Sequence, residues 1–179
     1  MGKKKQPTSS SKSKQPAACI LTDLLYLGPV SATSNTAFLE RQAITHILSI
    51  GKSPASRVEG ITYQRLSLTD EEDSPIAGIV EKACDIIDAA EAAKGRVLIH
   101  CSAAISRSPT IVTGYLMKRR GTTLRESLTI LVNARAVASP NPGFLRQLSE
   151  MEKELFQGES SFDPSRVTSN TRLSAYLAH

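Results

Sequence analysis

Apolar residues follow two rhythms along this chain, short runs at strand spacing between longer runs at helical spacing. Ala18–Ile20 and Leu24–Leu27 predict two short strands around a turn at Thr22-Asp23. Ser31–Ala43 predicts a short helix, with Ser31 or Ser34 as its N-cap. ITHILSI (44–50) has the continuous apolar character of a buried strand, and ITYQRLSL (61–68) alternates like a strand. The loop between them, Gly51–Gly60, is rich in Gly, Ser and Pro. Ile76, Ile79, Val80, Ala83, Ile86, Ile87 and Ala90 recur at helical spacing, which predicts a helix over Ile76–Lys94 with Gly95 as C-cap. Arg96–His100 reads as a central strand. Pro109–Arg120, Leu124–Asn133 and Phe144–Phe156 predict three further helices.

Strands alternating with helices imply an α/β fold: a central, mostly parallel or mixed sheet of about five strands, flanked by helices on both faces. Open sheets of this class place ligands beyond the carboxyl ends of their strands. The expected organisation is a disordered basic arm over 1–17, one catalytic domain over 18–157, and a tail over 158–179, where Ser, Thr and Asn dominate. No internal repeat is present.

Charge changes this picture only at the N-terminus. The first 17 residues hold five lysines (Lys3, Lys4, Lys5, Lys12, Lys14) and no acid, which equals the whole formal net charge of +5. The rest is neutral and offers no broad basic face for nucleic acid. No apolar run approaches the roughly 18 residues that span a bilayer. No apolar segment follows the basic start, against a secretory signal. Gln6, where Ser or Thr would be needed, argues against myristoylation at Gly2. Cys19, Cys84 and Cys101 are too widely spaced for a disulfide framework or a zinc site. They fit a reducing compartment, cytoplasm or nucleus. Cys84 is expected in the core, on the helix over 76–94.

The chemistry lies in His100-Cys101-Ser102-Ala103-Ala104-Ile105-Ser106-Arg107-Ser108. A cysteine and an arginine bracket small residues between a strand and a helix. A phosphate dianion needs donors around its oxygens, positive charge and an in-line nucleophile. A tight loop entering a helix supplies the donors as backbone N–H groups. Small side chains at Ser102, Ala103, Ala104 and Ser106 let that backbone curl inward, and Ile105 completes the loop. Arg107 offers a planar fork for two oxygens. Cys101 is the nucleophile, its pKa lowered from the ordinary ~8.5 by the helix start. Ser108 is placed to donate to the sulfur, and His100 to hold the loop from behind. The leaving oxygen also needs a proton. The acidic turn Asp70-Glu71-Glu72-Asp73 supplies it, from Asp70 as first choice and Asp73 as second. Glu71 and Glu72 read as solvated residues leading into the next helix. This chemistry calls for no metal and no cofactor.

These residues resemble the small (atypical) dual-specificity phosphatases of the cysteine-dependent protein tyrosine phosphatase superfamily. The resemblance runs from about Ala18 to Phe156. It rests on HCSAAISRS, on the following PTIVTGYLM, and on ARAVASPNPGFLRQL with its Pro-Asn, Gly-Phe and Gln-Leu pairs. Asp70 lies 31 residues before Cys101, which suits the family's acid. The resemblance implies a protein phosphatase acting on phosphotyrosine and phosphoserine or phosphothreonine through a phosphocysteine. Cys101, Arg107 and Asp70 would be catalytic, and residues 102–107 would bind the phosphate. Ser108 would assist thiolate departure, and Asn141 would support the loop. Expected partners are phosphorylated proteins, protein kinases among them, with no nucleic acid and no membrane.

One position departs from the family pattern. Three residues after the cysteine the family has glycine, and this chain has Ala104. Glycine there permits a positive φ, where alanine costs about 1–2 kcal/mol. Reduced turnover is one expected consequence. The alternative is a phosphoprotein-binding module with little turnover. A phosphatase of phosphoinositides or RNA 5′ ends is disfavoured, because the loop interior carries no cation. A sulfur-carrier fold with a similar cysteine loop is disfavoured by the acidic turn and Ser108.

Overall fold

The computed structural model describes residues 15–167 and 173–178. Five strands form one sheet: β1 (Ala18–Leu21), β2 (Leu25–Pro29), β3 (His46–Ile50), β4 (Thr62–Leu66) and β5 (Val97–Cys101). Their order is β1-β2-β5-β3-β4. Only the β1–β2 pair is antiparallel. The tight hairpin between them turns through Asp23, whose φ of 63° suits a residue that tolerates the left-handed region. The expected α/β class and the mixed five-stranded sheet are thus observed.

Helix α1 (Thr36–Arg41) connects β2 to β3 and covers one face, where Phe38 and Leu39 pack with Tyr26, Ile47 and Leu98. Helices α2 (Ala77–Ala92), α3 (Arg107–Arg120), α4 (Leu124–Ala134) and α5 (Pro142–Phe156) build the larger core on the other face, against Leu25, Leu27, Leu48, Ile50, Val97 and Ile99. Alternate residues of β2, β3, β4 and β5 serve the two cores, as the pleat requires. Strand β5 is central and completely buried. Helix α1, joining β2 to β3, crosses one face of the sheet and α2, joining β4 to β5, crosses the other, so the carboxyl end of β5 opens into a crevice of the kind that binds ligands.

Several boundaries differ from the pattern-based expectation. The segment 31–43 divides into a 3₁₀ turn, Val30–Ser34, and α1. Ser34 spends its hydroxyl on the Ser31 carbonyl inside that turn. Asn35 is the N-cap instead, accepting from the Phe38 N–H at 2.9 Å. At the end of α2 the left-handed residue is Lys94 (φ 56°), not Gly95. Gly95 is needed for space: a Cβ there would lie 2.6 Å from Thr45 Oγ1. Helix α3 begins at Arg107, two residues before Pro109. First-turn N–H groups have no intrahelical partner, so proline fits there as well as at the first position.

The expected tail from Gly158 is in part packed. Phe162, Val167 and Leu173 are buried, and α6 (Leu173–Leu177) lies against α4. The anchor is Glu152, 2% exposed, which accepts from Leu124 N–H, Ser161 N–H and the hydroxyls of Ser160 and Ser161. Burial raises the pKa of this carboxyl, but those donors together hold it below the usual carboxylate value. Of the expected N-terminal arm, residues 1–14 lie outside the described residues, and Ala17 is buried against β2.

Candidate active site

The site is built on the turn between β5 and α3. Every carbonyl from 102 to 106 is tied outward. Ser102 O accepts from Val30 N–H at 3.2 Å and Ile105 O from Ser139 N–H at 2.7 Å. Ala103 O and Ala104 O accept from Arg135 Nη2 and Nε at 2.8 and 2.9 Å. Ser106 O accepts from Thr110 N–H and Oγ1 at 2.9 and 2.8 Å. With its carbonyls held outside, the loop turns its N–H groups inward, which makes an anion nest.

The Cys101 sulfur sits in that nest, on a residue only 2% exposed. Burial alone would raise its pKa. The Ser108 hydroxyl, donating at 3.2 Å, and the backbone N–H groups of Ser108, Ala104 and Ala103 outweigh burial and hold the thiol below its ordinary value. Cys84, buried in α2 with no such donors, is pushed up to about 11. Two buried thiols of one chain thus differ in character because of the hydrogen bonds each receives.

Ala104 has φ 53° and is fully buried. The backbone conformation expected of a glycine is present, and the alanine adopts it with its N–H on the sulfur. The loop forms despite the methyl group.

Behind the loop, the His100 ring is fully buried. Its Nδ1 lies 3.2 Å from the Cys101 carbonyl and its Nε2 2.8 Å from Ser49 Oγ. A carbonyl only accepts, so Nδ1 carries the proton and Nε2 accepts from the serine. Burial lowers the ring's pKa, outweighing the opposing effect of its bond to Cys101.

Arg107 Nη2 donates to Ser102 Oγ at 3.0 Å. Its Nε is buried and has no hydrogen-bond partner among the described residues, lying 3.9 Å from Asp70 Oδ2. An orphaned guanidinium donor beside an anion nest is a position for a ligand oxygen. Of the four carboxylates in the acidic turn, Asp70 is the one bonded to the loop among the described residues. Its Oδ1 accepts from Ser106 Oγ at 2.6 Å and from Asn141 Nδ2 at 3.0 Å, which leaves Oδ2 facing Arg107. Asn141 also donates its N–H to Ser106 Oγ and caps α5 through Phe144 N–H. One residue thus registers the loop, Asp70 and a helix.

The turn carrying Asp70 is strapped to α5. Glu72 pairs with Arg146 at 2.8 Å, and Gln147 holds Ser74 O and Ile76 N–H. Any Cβ on Gly143 would overlap the Glu72 backbone, so only glycine allows this approach. Glu72, expected to be free in solvent, is therefore part of the strap.

Arg135, Ser49 and Gly51 escape detection in the sequence, and Gly143 is visible there only as half of the Gly-Phe pair. Arg135 lies within ARAVASPNP, yet its role depends on a contact 31 residues away. Gly51, at the carboxyl end of β3 with φ 88°, leaves room for Arg107: a Cβ there would lie 2.5 Å from Nη1.

Comparison with known proteins agrees with this geometry. The family model described as "Dual specificity phosphatase, catalytic domain" matches residues 25–154. The chain is 41% identical over 140 residues to Dual specificity protein phosphatase 1 of Arabidopsis thaliana, covering 77% of this chain and 70% of that protein. It is 40% identical over 126 residues to Dual specificity protein phosphatase 15 of Homo sapiens, covering 70% of this chain but 43% of that one. Among solved structures, a mouse putative dual specificity phosphatase complexed with zinc tungstate superposes with a TM-score of 0.76 at 28% identity, over 85% of this chain and 96% of its own. Human DUSP28 gives a TM-score of 0.74 at 29% identity, over 83% of this chain and 100% of its own. The matched span runs from β2 to α5 and includes the cysteine loop and the acidic turn, and so the chain belongs to the dual-specificity phosphatase family.

Proposed function

We propose that this chain hydrolyses phosphotyrosine and phosphoserine or phosphothreonine in proteins through a phosphocysteine on Cys101. The observation that carries the proposal is the sulfur ringed by three N–H groups and the Ser108 hydroxyl, with the unpartnered Arg107 Nε beside the same loop. The thiolate attacks phosphorus, and the P–O ester bond breaks. Its electron pair leaves on the ester oxygen, which takes a proton from Asp70. Water then attacks the phosphocysteine and gives a proton to Asp70. The S–P bond breaks, and the returning thiolate is received by Ser108. Arg107 and the loop N–H groups hold the phosphoryl oxygens throughout. The substrates are phosphorylated proteins, protein kinases among them. The free cysteines Cys19, Cys84 and Cys101 support a reducing compartment, cytoplasm or nucleus.

Ala104 favours a second reading, a phosphoprotein-binding module with little turnover. Its positive φ costs about 1–2 kcal/mol, and the methyl fills buried space. Hydrolysis of an aryl phosphate by this chain and by Ala104→Gly separates the two. Glycine relieves the strain but removes a buried methyl worth about 0.8 kcal/mol and loosens the unfolded chain by about 0.4–1 kcal/mol. Thermal stability is therefore expected to change little. The reacting phosphoryl group asks the N–H groups to converge more closely, and glycine lets them follow. The expected gain in kcat/KM is up to about tenfold, the equivalent of ~1.4 kcal/mol. No hydrolysis in either form, with phosphopeptide binding retained, supports the binding module.

A further inference from the structure

Positive charge collects on one side of the site, around Gly51. The Gly51 N–H donates to Leu66 O at 2.8 Å, which fixes the residue at the carboxyl end of β3. On one side the glycine leaves room for the Arg107 guanidinium. Its carbonyl accepts from Arg65 Nε. The two guanidinium groups are therefore separated by little more than one glycine, less than about 10 Å by covalent dimensions. Lys52 follows directly in the chain. Arg65 and Lys52 are both exposed, and neither has a carboxylate within ion-pair distance among the described residues.

The opposite flank has the other sign. There the acidic turn is strapped to α5, with Asp70 held by Ser106 and Asn141, and Glu72 by Arg146. The site is thus polarised across the phosphate position, with the Asp70 carboxylate towards α5 and the Arg65 and Lys52 cations towards β3 and β4. Arg65 resembles Arg107 in one respect: a fork anchored at one end, with donors left over.

We propose that Arg65, assisted by Lys52, binds an acidic side chain close in sequence to the phosphorylated residue of a peptide substrate. The proposal rests on the phosphatase reading given above and adds a substrate preference to it. Residues of an extended peptide advance roughly 3.3 Å each, so a carboxylate one to three residues from the phosphate spans the gap between the two arginines. The Nε bond to Gly51 fixes the guanidinium before substrate arrives, which lowers the entropy cost of holding the acid.

The test uses the full chain with Cys101→Ser, which holds phosphopeptides without turning them over. Fluorescence anisotropy compares two phosphotyrosine peptides of equal length, one with glutamates and one with alanines around the phosphorylated residue. The glutamate peptide should bind about fivefold more tightly at low salt, and the preference should fade as salt rises. Adding Arg65→Gln should bring the two peptides within about twofold of each other, and Arg65→Lys should restore part of the difference. Equal binding of both peptides to the starting protein, or a preference that survives Arg65→Gln, overturns the proposal. The unphosphorylated glutamate peptide is the control. If it binds as tightly as its phosphorylated form, the phosphatase reading fails, whatever Arg65 does.

Discussion

Cys101→Ser is expected to lose more than about 1,000-fold in turnover while still binding vanadate or phosphate. A serine hydroxyl is not ionised near neutral pH, even where N–H groups converge on it, so the attacking electron pair is lost. The binding parts remain. The carbonyls of 102–106 are still tied outward, and Arg107 is untouched. Removing the sulfur's negative charge also relieves its repulsion with the incoming dianion. Affinity for the oxyanion should therefore hold within a few-fold or improve. Steady-state hydrolysis of an aryl phosphate and calorimetric titration with vanadate check the two halves. A serine variant with substantial turnover would place the chemistry elsewhere.

Asp70→Ala is expected to act selectively. On a substrate with a poor leaving group, such as an alkyl phosphate, the loss should be about 100- to 1,000-fold. On an activated aryl phosphate it should be about tenfold or less, because that oxygen leaves without a proton. The selectivity follows from position: Oδ1 is fixed by Ser106 and Asn141, which leaves Oδ2 on the side of Arg107 and the cysteine loop. Asp70→Asn keeps an acceptor for Ser106 but cannot deliver the proton, so it should behave like alanine in rate. A series of phenyl phosphates with different phenol pKa values gives the measurement. A uniform loss across the series would mean that Asp70 only supports the loop, and Asp73 would become the candidate acid.

How much of this is visible in the sequence depends on the range of each interaction. The strands over 44–50 and 61–68 and the long helix over 76–94 are readable because period and burial agree within a few residues. The motif HCSAAISRS is readable because spacing alone brings its parts together on a strand–loop–helix turn. Ala104 illustrates how far such reading extends. A left-handed backbone is the expectation there, and φ is 53°, yet the outcome depends on Arg135, which holds the neighbouring carbonyls from far along the chain. Nothing local to Arg135 marks it for that task. The strapped acidic turn is hidden for the same reason, since Gly143 and Gln147 gain their meaning only once α5 lies beside the turn. The segment after Gly158 looks like a tail because it is polar. Its serines are instead donors to a single buried carboxylate, Glu152, and polar composition does not separate the two cases.

Catalysis by this chain requires an ionised Cys101 sulfur held in a phosphate-binding nest, and alkylation reports on that sulfur. The rate at which iodoacetate modifies Cys101, assigned by peptide mass and followed from acid to alkaline pH, reports the thiolate fraction. A depressed pKa leaves more of the thiol ionised at each pH below the ordinary midpoint, so the reactivity midpoint should lie below the ~8.5 of an ordinary thiol. Inorganic phosphate should protect Cys101 and leave the exposed Cys19 unaffected. A midpoint at or above that of an ordinary thiol, or modification of Cys101 that phosphate does not slow, would mean that Cys101 is not the nucleophile of a phosphate site.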